Sequence, residues 1–356
     1  PVLGGGRLTG RTGNYEIGLL NIQTGEQEGV SKGTNFTVAR VKRNIFQNSD
    51  IGFMFVNKAT MGSDSYNRSF GFDTNLRLNA EMDVNAYVAK TATPGIEGRD
   101  MAGRLAYRYT GRTLAFGSSF SILQENFNPE TGFAPRRGIR RSSGNIQYNY
   151  RQPWAREILR EIRPSVDLDY FTDQNGTVVS RYLNYRLTFR LQSGGFLSIG
   201  RYSNVEQLFE SFEINPNVAI ASGFYKFNDY FATLFTDPSR VFTASVRGSK
   251  GNFYSGKKTS ASLGGALKIA PRFSIEGAWS YNKVNLKEGL FTTQLLTART
   301  GYSFSTSIFL NALVQYNSTT KQIASNIRFN LIHRPPSNVF VVYNDKNGRK
   351  HAELVE

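Results

Sequence analysis

The sequence predicts an all-β fold, a large antiparallel transmembrane β-barrel, from three observations. No apolar stretch is long enough for a membrane helix, polar and apolar residues alternate in segments of about ten residues, and turn residues separate these segments. Glycine, tyrosine and phenylalanine are abundant, with 34, 18 and 27 residues. This composition suits many strands joined by tight turns.

The composition excludes several classes of protein. The 356 residues are 39% hydrophobic and have a mean hydropathy of −0.38, which excludes a bundle of membrane helices that each need ~20 apolar residues. Cysteine is absent, so disulfides and thiolate metal sites are excluded, and we expect no metal or cofactor. The net charge of +16 comes from scattered Lys and Arg without a nucleic-acid-reading module, so nucleic acid is not an expected partner.

Alternation is clearest in segment 183–191 (LNYRLTFRL). Its odd positions are apolar or aromatic, and its even positions are Asn, Arg, Thr and Arg. Such a strand places one face against lipid and the other toward a hydrated lumen, and a shift of one residue would reverse both faces. Segments with a similar pattern are 82–88, 104–109, 166–170, 307–316 and 326–331.

Turn residues and longer polar stretches divide the chain into strands. Turn residues occupy 110–112, 173–176, 193–195 and 335–338, and the longer polar stretches are 58–67, 91–100, 124–138 and 204–217. Short turns at one end and long loops at the other are typical of bacterial barrels, and the spacing leaves room for roughly 16–22 strands. We expect a single β-barrel domain over residues 1–356. Residues 154–162 form either one or two helical turns or a connector.

The strands of a soluble all-β protein could also show alternation of polar and apolar residues. The polar faces here carry Arg, Asn, Asp, Ser and Thr rather than mainly Lys and Glu, and Tyr and Phe lie near many strand ends. A hydrated interior with aromatic girdles at the membrane interfaces explains this distribution better than the outer face of a soluble sandwich.

Several segments are similar to a family of outer-membrane barrels of unknown function, labelled DUF5916 and common in Bacteroidota and related phyla. The most recognisable is 124–141, QENFNPETGFAPRRGIRR. The others are 1–13 (PVLGGGRLTGRTG), 35–43 (NFTVARVKR), 302–318 (YSFSTSIFLNALVQYNS), 325–334 (SNIRFNLIHR) and 338–344 (NVFVVYN).

The resemblance implies an integral protein of the Gram-negative outer membrane, in contact with lipid and lipopolysaccharide and inserted by the barrel assembly machinery. Family members carry a signal peptide and a periplasmic module similar to family 9 carbohydrate-binding modules before the barrel. That module is missing here, and segment 350–356 (KHAELVE) lacks the family's closing strand with its terminal aromatic. We therefore expect a barrel truncated at both ends. The resemblance implies no catalytic residues.

Two histidines are the candidates for barrel-rim catalysis, which needs a general base. His333 follows a strand and precedes a turn, whereas His351 lies in the tail. A rim site near His333 is one alternative function, and a soluble β-protein of carbohydrate metabolism is another. We favour an ordinary histidine at the membrane interface as the explanation of His333, and we expect no enzyme.

Charged residues opposite apolar ones are the candidates for the lumen. They are Arg104, Arg108, Arg186, Arg190, Arg328, Asp83, Asp167 and Asp169. A basic lumen would select anionic solutes, because rings of charge set the selectivity of pores. Alternatively, these Arg and Asp residues pair with each other and fill the interior.

A basic cluster lies at the end of the 124–138 stretch. Its members are Arg136, Arg137, Arg140 and Arg141. The cluster either binds lipopolysaccharide phosphates or an acidic glycan, or it braces the loop against carboxylates such as Glu125 and Glu130. The sequence thus predicts a non-enzymatic pore, transport component or surface scaffold, with an anionic solute or a glycan as its ligand.

Overall fold

The structure, a computed structural model, describes residues 1–29, 31–134, 136–269, 272–334, 337–346 and 349–355, with side chains for all of these except 334, 346 and 349–355. Its regular secondary structure consists of β-strands. The described residues include no helix whose length and apolarity would let it cross a membrane.

The strands follow one another closely along the chain. The first nine are β1 (Val2–Thr12), β2 (Tyr15–Thr24), β3 (Thr34–Phe46), β4 (Ser49–Thr60), β5 (Tyr66–Arg77), β6 (Met82–Ala92), β7 (Met101–Thr110), β8 (Leu114–Leu123) and β9 (Ile139–Tyr148). The next seven are β10 (Leu159–Asp173), β11 (Val178–Leu191), β12 (Phe196–Leu208), β13 (Phe212–Asn215), β14 (Val218–Ile220), β15 (Gly223–Phe235) and β16 (Phe242–Phe253). The last seven are β17 (Gly256–Ile269), β18 (Phe273–Asn285), β19 (Leu290–Ser303), β20 (Ile308–Asn317), β21 (Gln322–Arg334), β22 (Ser337–Lys346) and β23 (Arg349–Val355).

Strands adjacent in sequence pair in an antiparallel meander. Within the described residues, 21 strands belong to one sheet, and β13 and β14 form a separate two-stranded sheet, so that β12 pairs directly with β15. This strand order is that of an up-and-down outer-membrane barrel. The predicted fold class, all-β and antiparallel of the outer-membrane barrel type, is therefore confirmed. The 21 strands of the large sheet fall within the expected number, whereas the hairpin β13–β14 adds two strands that were not expected.

The chain divides into two compact units. Unit 1 comprises 1–148 and 166–183, and unit 2 comprises 149–165 and 184–356. Strands β10 and β11 each contribute residues to both units, which explains why the sequence shows no linker between them.

Connections in unit 1 alternate in length. The residues between successive strands are 13–14, 47–48, 78–81 and 111–113 at one end, here called the short-turn end, and 25–33, 61–65, 93–100 and 124–138 at the other, the long-loop end. Gly13 and Asn48 have φ values of 54° and 58°, the left-handed conformation that two-residue hairpin turns require. The expected separation of short turns from long loops is confirmed in this unit.

Alternation gives the sheet of unit 1 a polar face and an apolar face. Register places Val41, Phe53, Phe72 and Val88 in one cross-strand row of the apolar face. At the short-turn end this face carries aromatic residues, with Tyr15 and Tyr148 both more than 40% exposed. Aromatic residues at this level are typical of a membrane interface.

Little of the apolar surface is buried. Among the described side chains, nine hydrophobic residues are buried, whereas more than fifty large hydrophobic residues are exposed. A soluble sandwich of this length would bury its apolar faces against each other. The sheet therefore leaves its apolar face exposed.

Unit 2 contains the described hydrophobic core cluster. The hairpin β13–β14 contributes Val218 and Ile220, which pack with Val284 and Leu286 of the β18 end. The sequence predicted a long polar loop at 204–217; instead, β12 continues to Leu208, and the hairpin begins at Phe212. Packing of its apolar side chains stabilises this otherwise short pair of strands.

The segment 154–162 consists of a turn followed by the beginning of a strand. The N–H group of Leu159 donates to the Ala155 carbonyl at 2.7 Å, and β10 begins at Leu159. Residues 154–158 therefore form one helical-type turn, and 159–162 already belong to β10, so neither expectation describes the whole segment.

Candidate functional site

Ion pairs between neighbouring strands line the polar face of unit 1. Arg40 on β3 reaches across β4 to Asp73 on β5 and donates two hydrogen bonds, at 2.5 and 2.8 Å. Gly52 lies beneath the guanidinium, since a Cβ there would meet Arg40 Nη2 at 2.6 Å. Lys42 pairs with Asp50 at 3.0 Å. A glycine thus makes room for a bidentate pair between strands that are not neighbours.

Two of the predicted lumen aspartates also have arginine partners. Asp83 lies 3.7 Å from Arg77, and Asp169 accepts two hydrogen bonds from Arg141, at 2.6 and 2.8 Å. Asp167 occupies the same side of β10 by alternation. The expected pairing of Arg and Asp is thus found for Asp83 and Asp169, although their partners are other arginines than the predicted lumen set.

Arg104 and Arg108 differ from these paired arginines. Both are exposed, and neither makes a hydrogen bond or ion pair with a described residue. They line a polar cavity of about 170 Å³ together with Asn85, Ser119 and Asn145. Two guanidinium groups therefore face a polar space that no described carboxylate fills.

The predicted lumen arginines of unit 2 have mixed environments. Arg190 lies 3.8 Å from Glu161, whose side chain is only 3% exposed. Arg163 also contacts Glu161, and Arg151 lies 3.7 Å from it. We call these four residues the Glu161 cluster. It gives a buried carboxylate three cationic neighbours.

Two further predicted arginines in unit 2 lie outside this cluster. The Nε of Arg186 is 3.5 Å from the Ser165 hydroxyl. Arg328 lies over the ring of Phe340, 6.0 Å from its centroid. The residues predicted to face the lumen therefore lie at separate sites. Within each unit, the described members of this set do not form a ring of charges.

Three arginines of the basic cluster at the long-loop end contact neighbouring side chains, and the fourth lies on the opposite face. Arg137 donates to Asn128 Oδ1 at 2.5 Å, and Arg136 and Arg141 lie over the ring of Phe171, at 5.4 and 5.3 Å. Arg140 pairs in register with Ile122, which places it on the apolar face.

The carboxylates expected to receive that brace have other partners. Glu125 pairs with Arg99 at 2.9 Å, and Glu130 pairs with Lys58 at 2.7 Å. Arg99 lies in the connection 93–100 and Lys58 near the end of β4, so both are close to these carboxylates at the long-loop end. The alternative in which the basic cluster braces the loop against carboxylates such as Glu125 and Glu130 is therefore wrong for these two carboxylates.

Some charged residues of the candidate site were not predicted from the sequence. Arg247 donates to Thr233 Oγ1 and Tyr202 Oη, both at 3.1 Å, and lies 4.8 Å from the Phe231 ring centroid. The signal that could have found it is alternation in β16, where Arg247 and Ser249 share one face. Glu161 was missed because its segment was taken for a turn or connector.

The hairpin β13–β14 covers part of the polar face in unit 2. Tyr254 touches the core cluster and donates to Glu206 Oε2 at 2.8 Å. Burial, and next the hydrogen bond to Glu206, raise the pKa of Tyr254 above its ordinary value. Glu206 shares its side of β12 with Tyr202 by alternation, so the hairpin lies over polar residues of this face.

The structure describes the side chain of one of the two candidate histidines, His333. His333 is exposed near the end of β21 and makes no hydrogen bond or ion pair with a described residue. The side chain of His351 lies outside the described residues, as do Pro335 and Pro336 of the predicted turn. A base without an orienting partner does not form a catalytic pair.

A groove of about 630 Å³ lies on the apolar face of unit 1, lined by Val41, Phe53, Phe72 and Val88. It is larger than the cavity at Arg104 and Arg108, but its lining offers few groups for a polar ligand. The polar face is therefore the candidate functional surface.

Comparisons with known proteins give distant structural likenesses only. No family model and no curated protein matches the chain. Among solved structures, the ferric-catecholate import receptor Fiu from E. coli K12 matches with a TM-score of 0.46 and 6% identity, over 95% of this chain and 67% of that one. OccK10 (OpdN) from Pseudomonas aeruginosa matches with a TM-score of 0.37 and 12% identity, over 92% and 97%. The ferric yersiniabactin uptake receptor FyuA from Yersinia pestis matches with a TM-score of 0.31 and 9% identity, over 98% and 59%. At these values the function has to be argued from the chain's own residues.

Proposed function

We propose that this chain is an integral protein of the Gram-negative outer membrane that passes polar solutes along the polar face of its sheet, as a pore or transport component. The observation that supports this most is the exposure of the apolar residues on one face of the sheet, opposite a polar face rich in ion pairs. A sheet with these two faces is stable where one face meets lipid and the other meets water.

Aromatic residues support the membrane location. On the apolar face of unit 1, Tyr109 and Phe116 lie 5.4 Å apart beside a short turn, and Tyr15 occupies the same end. Toward the long-loop end this face becomes polar, with Asn21 donating to Thr37 Oγ1 at 2.8 Å. An apolar band between these two levels is what a bilayer requires.

The test is refolding of this chain in detergent micelles, with a matched sample in plain buffer. We expect a heat-sensitive change in gel mobility and β-type circular dichroism in detergent alone, followed by ion conductance in planar bilayers. A monomeric, folded protein in plain buffer would overturn the membrane location. A heat-modifiable barrel without conductance would overturn the pore and leave a membrane scaffold.

We also propose that the long-loop end faces outward and that its arginines contact lipopolysaccharide phosphates. Arg136 and Arg137 are exposed there, and arginine suits phosphate recognition because of its fork of N–H donors. An Arg136→Ala/Arg137→Ala variant should bind lipopolysaccharide vesicles more weakly at unchanged thermal stability. Lower stability with unchanged vesicle binding would show that these arginines brace the loop instead.

A further inference from the structure

Several arginines on the polar face of unit 1 have a carboxylate partner among the described residues, whereas Arg104 and Arg108, which lie near each other on β7, do not. Arg40 is paired with Asp73, and Arg141 with Asp169. Arg104 and Arg108 lie on β7 among the same strands and have no partner among the described residues. A cationic side chain without a protein anion is free to bind an anion from solution.

The space between the two arginines is lined by small residues. Ala106 lies between them on β7 and pairs in register with Ser119 of β8, which pairs with Ser143 of β9. Arg104 and Arg108 are four residues apart, about 13 Å along the strand, and both side chains line the same cavity. The short side chains thus leave a depression with an arginine at each end.

The depression has room for a small ligand. Its volume of about 170 Å³ corresponds to roughly five or six water molecules at ~30 Å³ each. A tetrahedral oxyanion with a few waters fits such a space. Gly117 keeps part of it open, because a Cβ there would meet Asn145 Oδ1 at 2.8 Å.

The polar groups around the depression favour an anion. Each guanidinium carries five N–H donors and no acceptor, and the Ser119 and Ser143 hydroxyls lie 2.8 Å apart, joined by a hydrogen bond. Asp83, opposite Arg108 in register, is itself 3.7 Å from Arg77. Two positive charges therefore remain without compensation.

We propose that Arg104 and Arg108 form an oxyanion-binding site, which takes a phosphate or sulfate group, free or carried by a solute. The proposal rests on the proposed pore function, since it names the class of solute that the polar face retains. Two guanidinium groups at the ends of a polar depression can donate hydrogen bonds to different oxygens of one tetrahedral anion.

The experiment is a titration of the refolded chain in micelles with inorganic phosphate at low ionic strength, followed by ³¹P line broadening. We expect saturable broadening for the unaltered chain and at least tenfold weaker binding for Arg104→Gln/Arg108→Gln. The matched control is Arg7→Gln, which removes an exposed arginine from β1 on the same face and should retain binding. Heat-modifiable mobility verifies that each variant is folded.

Three outcomes would overturn the site: no saturable broadening in the unaltered chain, unchanged binding in the double variant, or an equal loss in the Arg7→Gln control. The last would indicate a general attraction of phosphate to the basic face. Binding in micelles does not depend on conduction, so the two proposals fail separately. Conductance without phosphate binding rejects the site alone, and phosphate binding without conductance rejects the pore alone.

Discussion

Replacing Glu161 by Gln should lower the stability of the folded chain by about 2–3 kcal/mol. The side chain of Glu161 is 3% exposed, with Arg151 at 3.7 Å, Arg190 at 3.8 Å and Arg163 in contact. Glutamine keeps the shape of the side chain and removes the charge. Three arginines then lose the carboxylate that compensates them.

The magnitude follows from distance and exposure. Two unit charges 3.7 Å apart attract by about 4 kcal/mol at an effective dielectric constant of ~20. The arginines are 28–48% exposed, so solvent screens each pair and they do not add in full. The net loss therefore lies between that of an exposed pair, below about 1 kcal/mol, and that of a buried pair, about 3–5 kcal/mol.

The assay is urea unfolding in micelles, followed by tryptophan fluorescence and by gel mobility. Glu125→Gln is the matched control, because Glu125 and its partner Arg99 are 49% and 67% exposed. We expect the control to change the free energy of unfolding by less than about 1 kcal/mol. Equal unfolding midpoints for Glu161→Gln and the control would refute the expectation that burial increases the contribution of the Glu161 cluster to stability.

Three further predictions concern the polar face. A double-mutant cycle on Arg40→Ala and Asp73→Ala should give a coupling energy of about 1–2 kcal/mol, measured by urea unfolding, and additive effects would contradict a direct pair. Gly200→Ala should destabilise by about 1–3 kcal/mol, because its Cβ would meet the Phe231 ring at 2.6 Å; unfolding midpoints check this. The pKa of the Tyr254 hydroxyl is higher in the folded protein than in the unfolded chain. Packing of the hairpin β13–β14 against Tyr254 should therefore be complete below pH 10.0 and weaken at higher pH, where the hydroxyl loses its proton. Limited proteolysis within 209–222 measures the docking, and Tyr254→Phe should remove this pH dependence.

Much of the fold follows from local sequence. A strand sends successive side chains to opposite faces, so the pattern in 104–109 assigns Arg104 and Arg108 to one face and Leu105 to the other without further information. The short turn predicted at 110–112, which the structure has at 111–113, and long connections such as 124–138 were also visible, because turn residues act locally. The all-β class needed no more than these two patterns.

The sequence was less informative where apolar residues fold back on the sheet. The hairpin β13–β14 lies in a stretch that was taken for a loop, and it is held by Val284 and Leu286, more than sixty residues along the chain. A four-residue strand and a three-residue strand have little stability of their own. Their structure depends on contacts that no local pattern records.

Sequence alone therefore determined which face each charge occupies, and tertiary structure decided which charges meet. Arg40 and Asp73 are 33 residues apart in the chain, and Arg141 and Asp169 are 28 apart. Their pairing depends on the register of several strands, in which a shift of one residue reverses a face and a shift of two exchanges partners. The same register left Arg104 and Arg108 without a carboxylate and placed Glu161 among three arginines, because side-chain alternation is a property of one strand whereas ion pairing is a property of the whole sheet.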